Sequence, residues 1–354
     1  MTDRTHKPLT AVVFGLGVTG RKIVEILLDR EVRIVAAVDA FQFRGLDVGA
    51  VLGRPDIGVS VIPDAEAAFA GGAADIAIVS TQNGIRDIYP TVKLCLENDT
   101  DVITIAGDAY FPWVDKASSE ARALHELAVA RGKTILGTGV QDVFWDNMPV
   151  LLSGAAESVT GIHGRSVALV DSYGDWIAEG LCIGKAPEEF DPGFASPFAG
   201  VFIGPLHDMA HRFGLTVIDA VTTVEPVIAR KAFRSEEAGI EVRAGHLSGL
   251  DTCLRLNTVE GVTLSARFIS KLREEGDSNH AAWDIEGSSG VSVFMQDRHD
   301  IVTTSATVVN RIPDVINAAP GFTTVSALPA PMFRFRPLGA YAREGVPSDA
   351  AISE

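Results

Sequence analysis

Apolar positions fall into two rhythms along the chain. Up to about residue 140, short and almost wholly apolar runs alternate with stretches of helical spacing. Residues 9–14 make the first run, and in 20–30 Ile23, Ile26 and Leu27 recur as one helix face. A second run, 32–38, ends at Asp39, and a third covers 59–62. Pro63-Asp64-Ala65-Glu66 then predicts a helix start, since proline sits where a missing N–H costs little and acids complement the helix dipole. Residues 75–80, 102–106 and 134–136 complete six runs, with helices predicted over 85–97 and 119–131, the second closed by Gly132. Nearly continuous apolar strands separated by helices predict a parallel sheet covered on both faces.

The rhythm then changes to period two. Residues 158–170 and 241–270 alternate, the latter through Leu254, Leu256, Val262, Leu264, Ala266 and Phe268, and Ile285 and 291–294 look similar. This predicts an antiparallel or mixed sheet in a second domain. Residues 184–202, rich in Pro, Gly and Phe, read as an irregular loop on the substrate side. Residues 303–317 read as a helix stopped by Pro320-Gly321, and the polar tail from Arg343 as frayed. The expected fold is α/β: a Rossmann-type doubly wound parallel sheet over 1–142, a second α+β domain with a mixed or antiparallel sheet over 143–302, and a segment, 303–354, that returns to the first domain.

Composition narrows the partners. The 354 residues suit two domains. A net charge of −16 argues against nucleic acid and against anionic membrane surfaces, which attract basic proteins. Three cysteines without a Cys-x-x-Cys suit a reducing compartment. No signal-peptide core follows the N-terminus and no run approaches the ~20 apolar residues of a membrane span, so a cytoplasmic protein is expected.

Chemistry enters at Gly15-Leu16-Gly17-Val18-Thr19-Gly20-Arg21, a G-x-G-x-x-G that follows a strand, opens a helix and precedes Asp39 by about 20 residues. Gly15 permits the tight turn, Gly17 the approach of a pyrophosphate, and Gly20 close packing of helix on strand. The helix N-terminus offers N–H groups to the phosphates. Asp39 accepts hydrogen bonds from both ribose hydroxyls and repels a 2′-phosphate, which favours NAD. Arg44, in the same loop, can reach a 2′-phosphate and keeps NADP open. Ligands bind beyond the carboxyl ends of parallel strands, so Ser80, Thr81 and Gln82 after the fourth run, and Gly107 and Asp108 after the fifth, are expected to line the cofactor cleft.

Several segments converge on one family. The glycine fingerprint, Thr104-Ile105-Ala106-Gly107-Asp108-Ala109-Tyr110-Phe111-Pro112-Trp113, Leu136-Gly137-Thr138-Gly139-Val140, and Asn310-Arg311-Ile312-Pro313 with Ala319-Pro320-Gly321-Phe322 occur in that order. The chain resembles the dihydrodipicolinate-reductase-like dehydrogenases that include 2,4-diaminopentanoate dehydrogenase and the native amine dehydrogenases. It lacks the His-His pair with its Lys and the Asp-Ala-Pro-Ser-Gly-Thr segment of true dihydrodipicolinate reductases. The resemblance implies NAD(P)-dependent interconversion of an amine with a carbonyl compound and ammonia. The diaminopentanoate branch carries Gly-x-Gly-Val-Asn-Pro-Gly-Phe where this chain reads Gly137-Thr138-Gly139-Val140-Gln141-Asp142-Val143-Phe144. That departure favours a simple ketone or aldehyde over a diamino acid.

Reductive amination requires a group that steadies a cationic nitrogen and moves protons, which suits a carboxylate. Asp108 is the candidate, where relatives often place a Glu; Asp142 and Asp146 are its rivals. Gln141, Phe144, Trp145 and Tyr173 are candidates for the substrate wall. By resemblance, Asn310 bonds the nicotinamide carboxamide; the alternative is a helix cap. His207 and His211, at i and i+4, lack a third ligand, so no metal is expected, and no serine sits in a nucleophile elbow. A homodimer is expected from the broad second sheet. The competing readings are another imine, diamino-acid or alcohol dehydrogenase of the same fold, and a non-catalytic dinucleotide sensor.

Overall fold

The computed structural model describes residues 8–114, 118–173, 176–191, 200–296 and 299–342. Most of the 184–202 loop centre and the tail from Arg343 lie outside the described residues. The chain forms two compact units, one of residues 1–143 with 301–354 and one of residues 144–300.

The first unit runs β1 (Thr10–Phe14), α1 (Val18–Asp29), β2 (Arg33–Val38), the single-turn α2 (Val48–Val51), β3 (Val61–Ile62), β4 (Ile76–Val79), α3 (Ile85–Glu97), β5 (Asp101–Thr104), α4 (Ser119–Arg131) and β6 (Thr134–Gly137). The second holds α5 (Met148–Ser153), β7 (Gly161–Leu169), α6 (Trp176–Gly180), α7 (Ile203–Arg212), β8 (Val217–Ile228), β9 (Phe233–Ser235), β10 (Ile240–Val242), β11 (Leu247–Thr258), β12 (Thr263–Lys271), β13 (His280–Glu286) and β14 (Val291–Gln296). The chain then returns through α8 (Asp300–Asn317) and β15 (Gly321–Thr323) to the first unit.

Among the described residues the first sheet has seven parallel strands in the order β15-β6-β5-β4-β1-β2-β3. Its strands are buried because both faces are covered: Ala11 and Val13 of β1 face a core shared with α1 and α8, while Val12 and Phe14 face one shared with α3 and α4. The predicted helix after Pro63 shrinks to a 3-10 turn, Glu66–Phe69. β15 adds a seventh strand beyond the six predicted; three residues that begin at the glycine of a proline-glycine pair carry too little pattern to signal it.

The second unit's main sheet is mixed, in the order β14-β13-β7-β12-β11-β8, with β12 and β7 parallel and its other pairs antiparallel. The stretch expected as one alternating region over 241–270 divides into β10, β11 and β12. Helix α7 packs on β12 and α5 on β13 and β14. The inner face includes Leu254, Leu256, Leu264, Ala266 and Trp283, all in one core.

Candidate active site

The carboxyl end of the parallel sheet gathers the fingerprint. Gly15 has φ +91°, and a Cβ there would lie 2.6 Å from the Ser80 carbonyl oxygen. A Cβ on Gly20 would lie 2.1 Å from the Gly15 oxygen, so helix α1 can rest on the turn only with glycine there. At Gly17 nothing lies within 4 Å of a Cβ, so no packing demand of the protein explains that glycine. Gly17 is also the N-cap of α1, whose first turn holds no acidic residue and, among the described residues, receives no side-chain cap. The free N–H groups and open space suit an approaching anion.

Asp39 is fixed on this turn. Its Oδ2 accepts from the Leu16 N–H at 2.9 Å, and its Oδ1 from the N–H groups of Phe41 at 3.0 Å and Gln42 at 2.8 Å. Partial burial opposes ionisation, but these N–H groups and the Arg44 charge outweigh it and hold the carboxyl below the usual carboxylate range. Arg44 folds back to donate to the Ala40 carbonyl, and Arg21 donates to the Leu16 carbonyl at 3.0 Å. Ser80 donates to the carbonyls of Phe14 at 3.1 Å and Gly15 at 3.0 Å, which locks β4 to the glycine turn. Thr81 and Gln82 are exposed beside it.

Asp108 sits in a 3-10 turn, Gly107–Ala109, just past β5. The sequence did not single out Asn83, yet its Oδ1 accepts the Gly107 N–H at 2.7 Å and its carbonyl accepts the Asp108 N–H at 3.3 Å. Asp108 keeps part of its surface in solvent. Burial of the remainder pushes its carboxyl above the ordinary range; the Ile85 N–H at the start of α3 pulls it down, and the Asp87 charge adds to the rise. Farther along the segment, Trp113 meets the His125 ring edge-on at 5.5 Å, and His125 accepts the Phe322 N–H at 3.1 Å. The 104–113 and 319–322 motifs thus pack through one shared histidine.

Asp142 is fully buried. It accepts two bonds from buried Arg311, at 2.7 and 2.8 Å, and a third from Thr138 at 2.7 Å. Arg311 also bonds Asp314 at 3.2 Å and the Pro329 carbonyl at 2.5 Å. Held this way, Asp142 is part of an ion pair and its oxygens are committed. Gln141, beside it, is half-buried. Asn310 lies within α8, so it does not cap that helix; its Oδ1 is buried and, among the described residues, meets no donor.

Where the chain passes into the second unit, Asp142–Asn147 form a π-helical turn running into α5. Trp145 is 2 % exposed and stacks on Phe202 at 3.8 Å, with Phe268 edge-on at 5.4 Å, so its ring belongs to the core. The Phe144 carbonyl accepts from Trp283 Nε1 at 2.6 Å. Asp146 is fully buried and takes a bond from Arg212 at 2.8 Å. Burial, then the neighbouring Asp208, pushes its carboxyl well above the carboxylate range against the pull of Arg212. Tyr173 is half-buried and donates to Asp300 at 3.4 Å.

A glycine turn at the carboxyl end of a seven-stranded parallel sheet, an uncapped helix N-terminus and an acid at the end of β2 fit a dinucleotide and define an NAD(P)-dependent oxidoreductase. Comparison with known proteins agrees and goes further. Residues 143–336 match the 2,4-diaminopentanoate dehydrogenase C-terminal domain, and the chain belongs to that family. It is 25% identical over 336 residues to the 2,4-diaminopentanoate dehydrogenase of Acetoanaerobium sticklandii, covering 90% of this chain and 93% of that one. A solved amine dehydrogenase from Mycobacterium smegmatis is 31% identical, with a TM-score of 0.85 over 94% of this chain and all of that one. Biliverdin reductase from Synechocystis, at 11% identity and a TM-score of 0.54 over 95% of this chain and 96% of that one, shares the fold alone.

Proposed function

We propose that the protein is an NAD(P)-dependent amine dehydrogenase that aminates a small ketone or aldehyde with ammonia and runs the reverse oxidative deamination. What carries the reading is the likeness to the Mycobacterium smegmatis amine dehydrogenase over 94% of the chain. The glycine turn and α1 hold the pyrophosphate, Asp39 the adenosine ribose, and Asn310 the nicotinamide amide, whose N–H answers the orphan Oδ1. When bound, the reduced cofactor supplies a hydride.

Asp108 is assigned the proton work. The ionised Asp108 carboxylate takes a proton from ammonium, the ammonia so released adds to the carbonyl to give a carbinolamine, and Asp108 passes the same proton to the carbinolamine hydroxyl so that water leaves. The ionised carboxylate then steadies the iminium cation until hydride arrives at its carbon. Asp142 is unsuited to this role, since it is fully buried and bonded to Arg311 and Thr138. Of the candidate substrate residues, Gln141, Phe144 and Tyr173 retain partial exposure. The cofactor is assigned as NAD, because the Asp39 charge opposes a 2′-phosphate.

A diamino-acid substrate is the second reading, favoured by the family match and the Acetoanaerobium sticklandii relative. Against it stands the Gln141-Asp142-Val143 segment, whose acid serves an internal ion pair. The protein is further assigned as a homodimer joined through the open face of the mixed sheet, where Val221 and Phe294 are exposed. Light scattering of the purified chain tests that assignment.

The test of function is NADH and NADPH oxidation with a panel of small ketones and aldehydes, with and without ammonia. Oxidation strictly dependent on ammonia supports the reading. Oxidation that ignores ammonia refutes it in favour of an alcohol dehydrogenase, and tight NADH binding without turnover on any substrate favours a sensor.

A further inference from the structure

We infer that Phe41 is the surface on which the adenine base of the dinucleotide stacks. The inference deepens the cofactor assignment and rests on it. Phe41 is 89% exposed, and among the described residues no ring or cation meets it. Isolated apolar side chains on a surface are ordinary; the loop beneath this one is not. Asp39 fixes the backbone at Phe41 and at Gln42 through their N–H groups. Phe43 adopts φ +58°, a left-handed conformation that is unfavourable for a bulky residue, with the Arg21 guanidinium 5.2 Å from its ring centre. The Gly45 N–H bonds the Val61 carbonyl at 2.8 Å, and the Leu46 N–H closes on the Phe43 carbonyl at 3.0 Å. A loop braced at each of these points holds one aromatic face bare toward solvent. The equally exposed Phe335, by contrast, packs edge-on against Phe333 at 5.0 Å.

The occupant follows from connectivity. Asp39 takes the hydroxyls of the adenosine ribose. The base hangs from that same ribose by one glycosidic bond, so it lies within a few ångströms of a residue two positions farther along the loop. A purine presents a flat π-face, and an aromatic side chain accepts it without needing a hydrogen-bond code. Arg44, turned back on the Ala40 carbonyl, leaves that ring face clear.

The purified full-length chain is titrated with NADH, followed by its fluorescence, and with ADP-ribose, followed by calorimetry. For F41A the dissociation constants of both ligands rise together by about 5- to 150-fold, the range for loss of one base–aromatic stack. F41W restores wild-type affinity for both. Because the ring is exposed, the thermal midpoint of F41A stays that of the wild type. Unchanged affinities in F41A overturn the stacking. Wild-type protein that binds neither ligand overturns the dinucleotide assignment beneath it.

Discussion

Removing Arg311 or Asp142 is the sharpest way to test how the first unit holds its returning segment. The two side chains are fully buried and meet through parallel bonds of 2.7 and 2.8 Å. Unit charges 2.8 Å apart attract by about 6 kcal/mol at an effective dielectric of ~20. Desolvation costs several kcal/mol for each ion, so the intact pair contributes little beyond a well-packed apolar pair. The cost appears when one partner goes. R311M removes both guanidinium bonds to Asp142, and D142L leaves the guanidinium with Asp314 and the Pro329 carbonyl. Each single change is expected to destabilise by about 3–5 kcal/mol, and the R311M/D142L double change by less than either. Urea unfolding followed by circular dichroism gives the magnitudes, and hydrogen exchange along α8 assigns the loss to the first unit. Additive single costs, or an R311M penalty below about 1 kcal/mol, refute the view of a mutually dependent buried pair.

D108N is expected to lower kcat by about 10²–10⁴-fold with NADH affinity retained, by steady-state kinetics and fluorescence titration. Because burial raises the Asp108 carboxyl and its ionised form does the work, kcat/KM of the wild type falls on acidification at a pH above the ordinary aspartate value of 3.8, and D108N lacks that limb. D39S weakens NADH and strengthens NADPH in competition titrations; the wild-type preference for NADH disappears only as pH drops through the depressed Asp39 value, below 3.8. For Asp146 the folded value is raised, so the folded protein keeps a proton that the unfolded chain has lost above 3.8. Stability from this group is complete below that pH and declines as pH climbs toward the folded value; D146N, unable to ionise, flattens the decline in unfolding experiments across pH.

The parallel sheet was legible in the sequence because each of its first six strands is an apolar run bounded by helix signals, and Gly15, Gly17, Gly20 and Asp39 lie at fixed distances along one stretch of chain. β8 was not singled out: its apolar residues do not alternate regularly with its polar ones, most of its side chains are exposed, and Pro226 within it reads as a strand breaker. The Arg311–Asp142 pair joins residues 169 apart in sequence, and nothing local distinguishes a buried arginine from a solvated one. Trp145 shows the same limit, since an aromatic beside a motif reads alike whether it lines a pocket or, as here, stacks on Phe202. The position of Asn310 within a long helix was not legible, because it depended on Pro313 being accommodated inside α8.

β15 pairs with β6 although the whole second unit separates them along the chain. During synthesis the ribosome therefore releases residues 144–300 as an uninterrupted stretch before the strand that flanks β6 exists. For that interval the nascent first unit presents β6 as a bare rim of unpaired N–H and C=O groups, the kind of edge that recruits foreign strands. A chain cut short before Gly321 is left with that vulnerability permanently, so premature termination close to the end is predicted to yield aggregates rather than a slightly shortened enzyme.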